Sequence, residues 1–290
     1  MTARDAGSRG AGEAAAVERE AGEEYILGAD ESELARLLAQ AALHSREAEV
    51  LLDRIPIAAG GRALDVGCGP LGVLHLLSER VGPGGEVVGL DSEPRMIALA
   101  ERTIVDRGLA NVRLVEADAY NTGLPDASYD LAHERLVLIN LTAPQDAVRE
   151  MVRVVRPGGW VALQDVDWIT WTCEAAHPAW DELLEALTAS WQAARLDPFI
   201  GRRLPALLRE AGMVDVGVTA YQYIWRPEDL YNRLLIKFVG IHRERIIDGG
   251  YLTAERIDQL SAELDEHLAR PETFVIYTPL FQAWGRRPQP

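Results

Sequence analysis

A glycine-rich turn is the feature of this sequence best suited to bind a ligand through the main chain. Gly67, Gly69 and Gly72 give the spacing G-x-G-x-x-G, between an apolar strand pattern and a helical one. Glycines at this point of a parallel sheet let the backbone approach a bound nucleotide closely. Dinucleotide-dependent enzymes and other nucleotide-binding proteins share the spacing, so the turn alone predicts a nucleotide site and leaves its ligand open.

Three carboxylates, one after each of three successive predicted strands, indicate the charge of that ligand. Asp65 lies two residues before the first glycine, Asp91 ends the second strand, and Asp118 follows the third. A carboxylate disfavours a neighbouring pyrophosphate but suits an amine or a sulfonium. Asp91 is placed to accept both hydroxyls of a ribose, and Asp118 to accept an adenine amine. The pattern favours a cationic adenosyl ligand, with a helix cap at Asp91 and a turn at Asp118 as the structural alternatives.

Few side chains at the same sheet edge could act as a general base. His133 ends the fourth predicted strand, and Asp165 and Asp167 follow the fifth. We take His133 and Asp167 as the candidate catalytic residues. A histidine bonded to backbone and a carboxylate that satisfies loop amides are the structural alternatives. The sequence has no tight His/Asp/Glu cluster of metal-ligand spacing, so no metal is predicted.

Aromatic residues concentrate late in the chain, where all seven tryptophans lie at or after residue 160. They either fill the core of the late helices or line a pocket for a flat or apolar substrate. Trp168 and Trp171 are the candidate substrate-binding residues on the second interpretation. His242 is a further candidate on a predicted cap helix, although its charged neighbours favour a solvent-facing position.

The elements that must position these residues alternate strands with helices. Apolar runs predict strands at 62–66, 86–91, 111–116, 129–133 and 160–165. Helical patterns separate them, so the sequence predicts an α/β protein with a parallel sheet covered on both faces. After residue 170 the alternation ends. Helices are predicted there at 178–195, 201–211, 227–246 and 253–269, with strand-like runs at 215–225 and 273–278.

Together these motifs resemble the class I S-adenosylmethionine-dependent methyltransferases. The resemblance covers residues 60–170 and rests on the glycine motif 63–72, the strand ends 88–91 and 116–119, the strand 129–133 and the turn 156–160. The start of the chain, Tyr25-Ile26-Leu27-Gly28 before an amphipathic helix, resembles a bacterial small-molecule branch of that family. The resemblance implies a Rossmann-like, seven-stranded, mostly parallel sheet whose last strand is antiparallel, with the two late runs as its last strands and a helical cap over the substrate cleft.

The resemblance also implies a cofactor, S-adenosyl-L-methionine, and its product S-adenosyl-L-homocysteine. Asp65 would orient the methionine amine, Asp91 would hold the ribose, and Asp118 would bind the adenine amine. Met96 would pack on the adenine. The remaining implied cofactor contacts are Tyr25, Gly67, Cys68, Gly69, Ser92, Ala119 and Glu134. The implied activity is methyl transfer to an oxygen, nitrogen or carbon atom of a small organic acceptor, as in secondary metabolism.

The composition of the chain limits its domain organisation and the partners that it could bind. With 290 residues, of which 48% are hydrophobic, the chain can bury a large core. A net charge of −16 argues against a nucleic-acid partner. Two cysteines and no apolar run of about 18 residues favour a cytoplasmic protein that does not enter a membrane. We expect a flexible tail at 1–24 and a single domain at 25–290, made of a helical lid (25–58), a cofactor-binding core (60–170) and a remainder with cap insertions (171–290).

Two other functions fit parts of the pattern. A nicotinamide-dependent, NAD(P)-using oxidoreductase could use the same glycine turn, although the carboxylates and the 156–160 turn weigh against it. A protein that binds S-adenosylmethionine without transferring its methyl group is the second alternative, because no catalytic side chain is obligatory for an in-line displacement. The oligomeric state stays open, a homodimer included.

Overall fold

The structure is a computed structural model, and it describes residues 43–289. Tyr25, the tail predicted at 1–24 and the first part of the predicted lid lie outside the described residues. The division of the chain into lid, core and cap stays a prediction.

A seven-stranded sheet forms the centre of the fold. Its first five strands along the chain are β1 (Arg62–Val66), β2 (Glu86–Asp91), β3 (Val112–Glu116), β4 (Tyr129–Arg135) and β5 (Val155–Val166). They pair in parallel in the order β3-β2-β1-β4-β5. The predicted parallel core is therefore confirmed. The strand order reverses between β1 and β4, and in such sheets ligands bind beyond the carboxyl ends of the strands at this point.

Two late strands complete the sheet. These are β7 (Val214–Tyr221) and β10 (Leu280–Arg286), and β10 lies antiparallel between β5 and β7. The predicted antiparallel last strand is confirmed, but its predicted position at 273–278 is wrong. That run forms β9 (Phe274–Ile276), which pairs with β6 (Thr172–Glu174) and β8 (Ile224–Trp225) in a separate three-stranded sheet. Pro279 separates β9 from β10, because a proline has no amide hydrogen to donate to a strand ladder.

Helices cover both faces of the main sheet and build the cap. Those around the first five strands are α1 (Ser45–Asp53), α2 (Leu74–Val81), α3 (Pro94–Asp106) and α4 (Pro144–Val154). The later helices are α5 (Pro178–Ala193), α6 (Leu204–Glu210), α7 (Leu234–Ile241), α8 (Arg243–Asp248) and α9 (Ala254–Leu268). The single helix predicted at 227–246 is therefore two shorter helices that meet at His242.

The core has two parts, one on each face of the sheet. Leu51 and Leu52 of α1 pack with α2 and with one face of β1, β2 and β5. On the other face, α4 packs in one apolar cluster with the later helices of the cap, and Trp180 is completely buried in this cluster. Burial of apolar side chains on both faces is what holds the carboxyl ends of the strands in fixed positions. Within residues 43–289, no helix has the length and apolar character needed to cross a membrane.

Candidate functional site

The glycine turn lies at the carboxyl end of β1, as predicted. Gly67, Gly69 and Gly72 all have positive φ. The amide of Cys68 donates to the carbonyl of Leu90 at 2.9 Å, which fastens the turn to the end of β2. Cys68 itself is buried, and burial raises the pKa of its thiol well above the usual value. The turn therefore offers backbone, and not a reactive thiol, to a ligand.

Asp91 connects the end of β2 to the glycine turn. Its Oδ2 accepts from the amide of Gly69 at 2.9 Å, and its Oδ1 accepts from the amide of Glu93 at 3.0 Å. Asp91 is largely buried, and burial raises the pKa of its carboxyl group. Each carboxylate oxygen can accept two hydrogen bonds, so one acceptor direction per oxygen remains for a ligand hydroxyl. The N-cap of α3 is Glu93, whose side chain accepts from the amide of Arg95, so the helix-cap alternative for Asp91 is not observed.

The predicted adenine contacts lie near the ends of β2 and β3. The amide of Ala117 donates to the carbonyl of Asp91 at 3.0 Å, so the two strand ends are adjacent. Asp118 is exposed, and its Oδ1 accepts from the amide of Tyr120 at 2.7 Å, which is the turn that the sequence left as an alternative. Met96 is buried in the first turn of α3, Ser92 is exposed, and Ala119 is half-buried. Their contact with a cofactor stays a prediction.

Asp65 is buried at the end of β1, where it meets His133 of β4. Asp65 Oδ2 accepts from the amide of Val73 at 3.1 Å, and its Oδ1 lies 2.7 Å from His133 Nδ1. The second ring nitrogen, Nε2, lies 2.9 Å from Oε1 of Gln164 on β5. Both ring nitrogens of His133 are thus engaged, and the residue has no exposed surface. The role of a general base stays a prediction that this geometry does not favour.

Glu134 and Asp165 form a buried acidic pair behind the site. Glu134 accepts from the amides of Gln164 at 3.1 Å and Val137 at 3.2 Å, while Asp165 accepts from the amide of Ile139 at 2.9 Å. Burial, together with the neighbouring Asp165, raises the pKa of Glu134 well above its usual value. Burial raises the pKa of Asp165 to about 7. The two carboxyl groups hold the loop that follows β4, so cofactor contact by Glu134 stays a prediction.

Asp167, the second candidate base, is fully buried against Arg202. Its two oxygens lie 2.6 Å from Nε and 2.5 Å from Nη2 of Arg202, and one also accepts from the Arg202 amide. Asp167 further caps the short helical turn Trp168–Thr170 through the amide of Ile169. Four donors from Arg202 and Ile169 occupy the two oxygens of this buried carboxylate, so it is not presented to an acceptor. The catalytic role of Asp167 stays a prediction that this geometry does not favour.

Removing this ion pair should destabilise the protein measurably. We expect Arg202→Ala to lower the free energy of unfolding by about 2–3 kcal/mol, because it leaves the Asp167 carboxylate buried without its cation. The matched control is Arg203→Ala, whose pair with Asp197 is more exposed and is expected to contribute only about 0.5 kcal/mol. Urea unfolding followed by circular dichroism measures both. Equal losses in the two variants would contradict the structural role of Asp167.

The predicted substrate residues lie in a buried aromatic cluster of the cap. Trp171 is at the centre, with Trp168 at 5.6 Å, Tyr277 at 6.0 Å and Phe238 at 6.0 Å between ring centroids. Trp168 and Trp171 are both almost completely buried. The core-filling interpretation is thus observed, and substrate contact stays a prediction.

His242 occupies a different environment from the one its neighbours indicate. It is 3% exposed and meets Trp191 edge to face at 5.6 Å, so the solvent-facing position is wrong. The break between α7 and α8 at His242 explains the difference, because it turns this ring inward while Arg243 pairs with Asp258 at the surface. Its role as a substrate contact stays a prediction.

Three polar residues that the sequence analysis did not select link the glycine turn to the cap. Arg135, at the end of β4, donates to the carbonyls of Gly72 at 3.2 Å and His44 at 3.4 Å. His44 Nδ1 lies 3.3 Å from the hydroxyl of Tyr223, whose ring leads through Tyr277 to the aromatic cluster. Burial lowers the pKa of His44 to about 3, so its ring is neutral at neutral pH. For Arg135, the available signal in the sequence was its position two residues after the predicted strand 129–133.

The residues at the glycine turn fit an adenosyl cofactor. A Cβ added to Gly69 would meet no protein atom within 4 Å, so there is open space against the backbone at this point. Asp91 of β2 borders that space through the amide of Gly69, Asp65 of β1 lies against Gly72 at the end of the same turn, and Asp118 is exposed. Within residues 43–289, no group of three His, Cys, Asp or Glu side chains is arranged to hold a metal ion.

Comparisons with known proteins agree with this arrangement. A family model described as "Methyltransferase domain" matches residues 64–163. Demethylmenaquinone methyltransferase of Geobacillus sp. (strain WCH70) is 32% identical over an alignment of 192 residues, gaps included, and the alignment covers 62% of this chain and 82% of that protein. The YcgJ protein of Bacillus subtilis superposes with a TM-score of 0.57 at 20% identity, covering 84% of this chain and 99% of that one.

A third comparison is with geranyl diphosphate C-methyltransferase from Streptomyces coelicolor A3(2), solved with S-adenosyl-L-homocysteine. It superposes with a TM-score of 0.52 at 15% identity and covers 92% of this chain and 88% of that one. The chain belongs to the class I S-adenosylmethionine-dependent methyltransferases. It is an enzyme whose methyl donor is S-adenosyl-L-methionine, and nothing in the comparisons supports the oxidoreductase alternative.

Proposed function

We propose that this enzyme transfers a methyl group to a small, flat organic acceptor that lies between the carboxyl ends of β4 and β5, helix α1 and the cap. The observation that carries the proposal is the continuous contact from the glycine turn to the aromatic cluster. Arg135 bonds the turn to His44, His44 contacts Tyr223, and Tyr223 packs at 6.5 Å from Tyr277. An acceptor held along this path would have aromatic rings on one side and the cofactor site on the other.

The relatives support the choice of a small acceptor. By their names, the Geobacillus protein acts on demethylmenaquinone and the Streptomyces protein on geranyl diphosphate. A reduced quinone ring is flat and apolar with hydroxyl groups at its edge, which suits stacking on indole and phenol rings. The acceptor atom, whether oxygen, nitrogen or carbon, is not assigned. A net charge of −16 supports the exclusion of nucleic acid as the acceptor.

In the proposed mechanism the protein positions the reactants for an in-line displacement. Bound S-adenosylmethionine supplies an electrophilic methyl group on a sulfonium. Asp65 orients the methionine amine, Asp91 accepts from the ribose hydroxyls, and Asp118 accepts from the adenine amine, with Met96 beside the ring. Holding two reactants in reacting geometry accounts for a large part of the rate of such reactions. The buried aromatic cluster excludes water from the acceptor side.

Calorimetric titration with S-adenosylhomocysteine tests the cofactor site. We expect Asp91→Ala to weaken binding by about tenfold to a hundredfold, because the ribose hydroxyls lose a charged acceptor. The matched control, Glu101→Ala, removes an exposed carboxylate from α3 and should bind as the wild type does. Equal affinity in wild type and Asp91→Ala would contradict the ribose assignment. NADH is titrated in parallel as the ligand of the oxidoreductase alternative.

Methyl transfer itself is tested with methyl-labelled S-adenosylmethionine and a panel of acceptors. The panel contains 1,4-naphthoquinol, catechols, primary amines and an RNA oligonucleotide, and the readout is label in the acceptor. Transfer to a quinol or catechol supports the proposal, whereas transfer to RNA contradicts it. Tight cofactor binding with no labelled product across the panel would favour the alternative of a binding protein that does not methylate.

Location and assembly are further proposals. We place the enzyme in the cytoplasm, on the support of Cys68 and Cys173, which are both buried as free thiols. A homodimer stays a prediction, and light scattering coupled to size-exclusion chromatography measures it. A mass near 32 kDa would contradict the dimer.

A further inference from the structure

We propose that His133 is a positioning residue which, together with Gln164, fixes the Asp65 carboxylate for the amine of the cofactor. The inference rests on the proposed role of Asp65. It replaces the general-base role predicted for His133 from its place at the end of β4. The proposal concerns three side chains on three adjacent parallel strands, β1, β4 and β5, joined in a single buried line.

The geometry gives each oxygen of Asp65 a defined partner. Oδ1 lies 2.7 Å from His133 Nδ1, and Oδ2 accepts from the amide of Val73 at 3.1 Å. Asp65 and His133 are opposite each other in the parallel register of β1 and β4, so the sheet itself sets their distance. With two partners fixed, the carboxylate cannot rotate, and its remaining acceptor directions face the glycine turn.

Gln164 completes the line at the second ring nitrogen of His133. A neutral imidazole that donates from Nδ1 to Asp65 carries a lone pair on Nε2, and that lone pair needs a donor. The Gln164 amide lies 2.9 Å from Nε2, and its amide nitrogen is buried with no hydrogen-bond partner. Rotating the side-chain amide of Gln164 by 180° directs its N–H at the lone pair on His133 Nε2. The rotated amide fits the same space, because its oxygen and its nitrogen have nearly the same size.

The glycine turn lies directly over this fixed carboxylate. A Cβ added to Gly72 would lie 2.3 Å from Asp65 Oδ2. His133 and Gln164 thus hold the Asp65 carboxylate against the backbone of Gly72, at the end of the glycine turn. The amine of the cofactor would then be a further donor to this carboxylate, which Arg135 beside the turn also faces.

The test compares two ligands that differ only at the amino-acid end. S-adenosylhomocysteine carries the amine and a carboxylate, and 5′-methylthioadenosine has the same nucleoside and sulfur but neither of these groups. Calorimetry measures both on wild type, His133→Leu, His133→Asn and Gln164→Leu, with thermal unfolding of each variant as a check of the fold. The Asn variant keeps an N–H donor near the position of Nδ1, so it is the conservative rescue.

We expect His133→Leu to lower the affinity for S-adenosylhomocysteine by about tenfold or more. The affinity for 5′-methylthioadenosine should fall by less than about threefold. The Asn variant should recover most of the loss. If His133→Leu does not fold, Gln164→Leu carries the same comparison with a smaller expected loss. Parallel weakening of both ligands, or unchanged binding of both, would overturn the proposal. Wild type that binds neither ligand would overturn the cofactor site itself, which separates that failure from this one.

Discussion

Replacing Gly72 by alanine should abolish detectable binding of S-adenosylhomocysteine. Gly72 has φ +49°, and an added Cβ would lie 2.3 Å from Asp65 Oδ2 and 2.7 Å from the carbonyl oxygen of Cys68. Neither atom belongs to a flexible side-chain end, because Asp65 is held by His133 and Val73. The methyl group must therefore displace both the carboxylate and the turn. We expect a loss of affinity of more than about a hundredfold in calorimetry.

Gly69→Ala tests whether the cofactor occupies the space at Gly69, because the added methyl group would contact the ligand and no protein atom. The Cβ added there meets no protein atom within 4 Å, although φ is +52°. We expect stability to fall by only about 1 kcal/mol, while binding of S-adenosylhomocysteine falls sharply because the methyl group enters the space assigned to the cofactor. Gly108→Ala is the control, since it has φ +65° and open surroundings far along the chain. Unchanged affinity in Gly69→Ala would contradict the position of the cofactor.

The cofactor half of the fold was predictable because its signals are local. Strands β1 and β2 occupy the residues predicted for them, and the glycine turn and three carboxylates follow directly from strand ends. Once alternating strands and helices imply a parallel sheet, every strand end must meet the same edge. Sequence spacing then fixes which side chains are neighbours. No comparable rule exists for a side chain whose partner is distant.

Asp167 and His133 illustrate that limit. Asp167 pairs with Arg202, 35 residues later, on a segment that folds back from the cap. His133 uses both ring nitrogens on β1 and β5, which the strand pattern could locate but not orient. The final strand was misplaced for a related reason. Both 273–278 and Leu280–Arg286 can form strands, and only the packing of β10 between β5 and β7 selects the second.

The stability of the protein should depend on pH through the protonation of the buried carboxyl group of Asp165. Burial raises its pKa to about 7, against about 3.9 in an unfolded chain, so the folded protein binds the extra proton between these values. Stability from this group is therefore present at low pH and is lost as the pH rises from about 4 to 7. Relative to wild type, Asp165→Asn should gain stability over that range, because it has no proton to lose.

The comparison must be a difference between variants, because another buried group acts with the opposite sign. Burial lowers the pKa of His44 to about 3, so the unfolded state binds the extra proton between about 3 and 6.5, and stability from His44 rises with pH. The two contributions oppose each other in the wild type.

Urea unfolding from pH 4 to 7.5 measures the free energy of unfolding of each variant minus that of wild type. This difference should rise with pH for Asp165→Asn and fall with pH for His44→Gln. The control Asp106→Asn, at the exposed end of α3, should give a flat difference. A flat difference for Asp165→Asn would show that Asp165 does not hold a proton in the folded protein between these pH values. The loop after β4 would then be held by ionised Asp165.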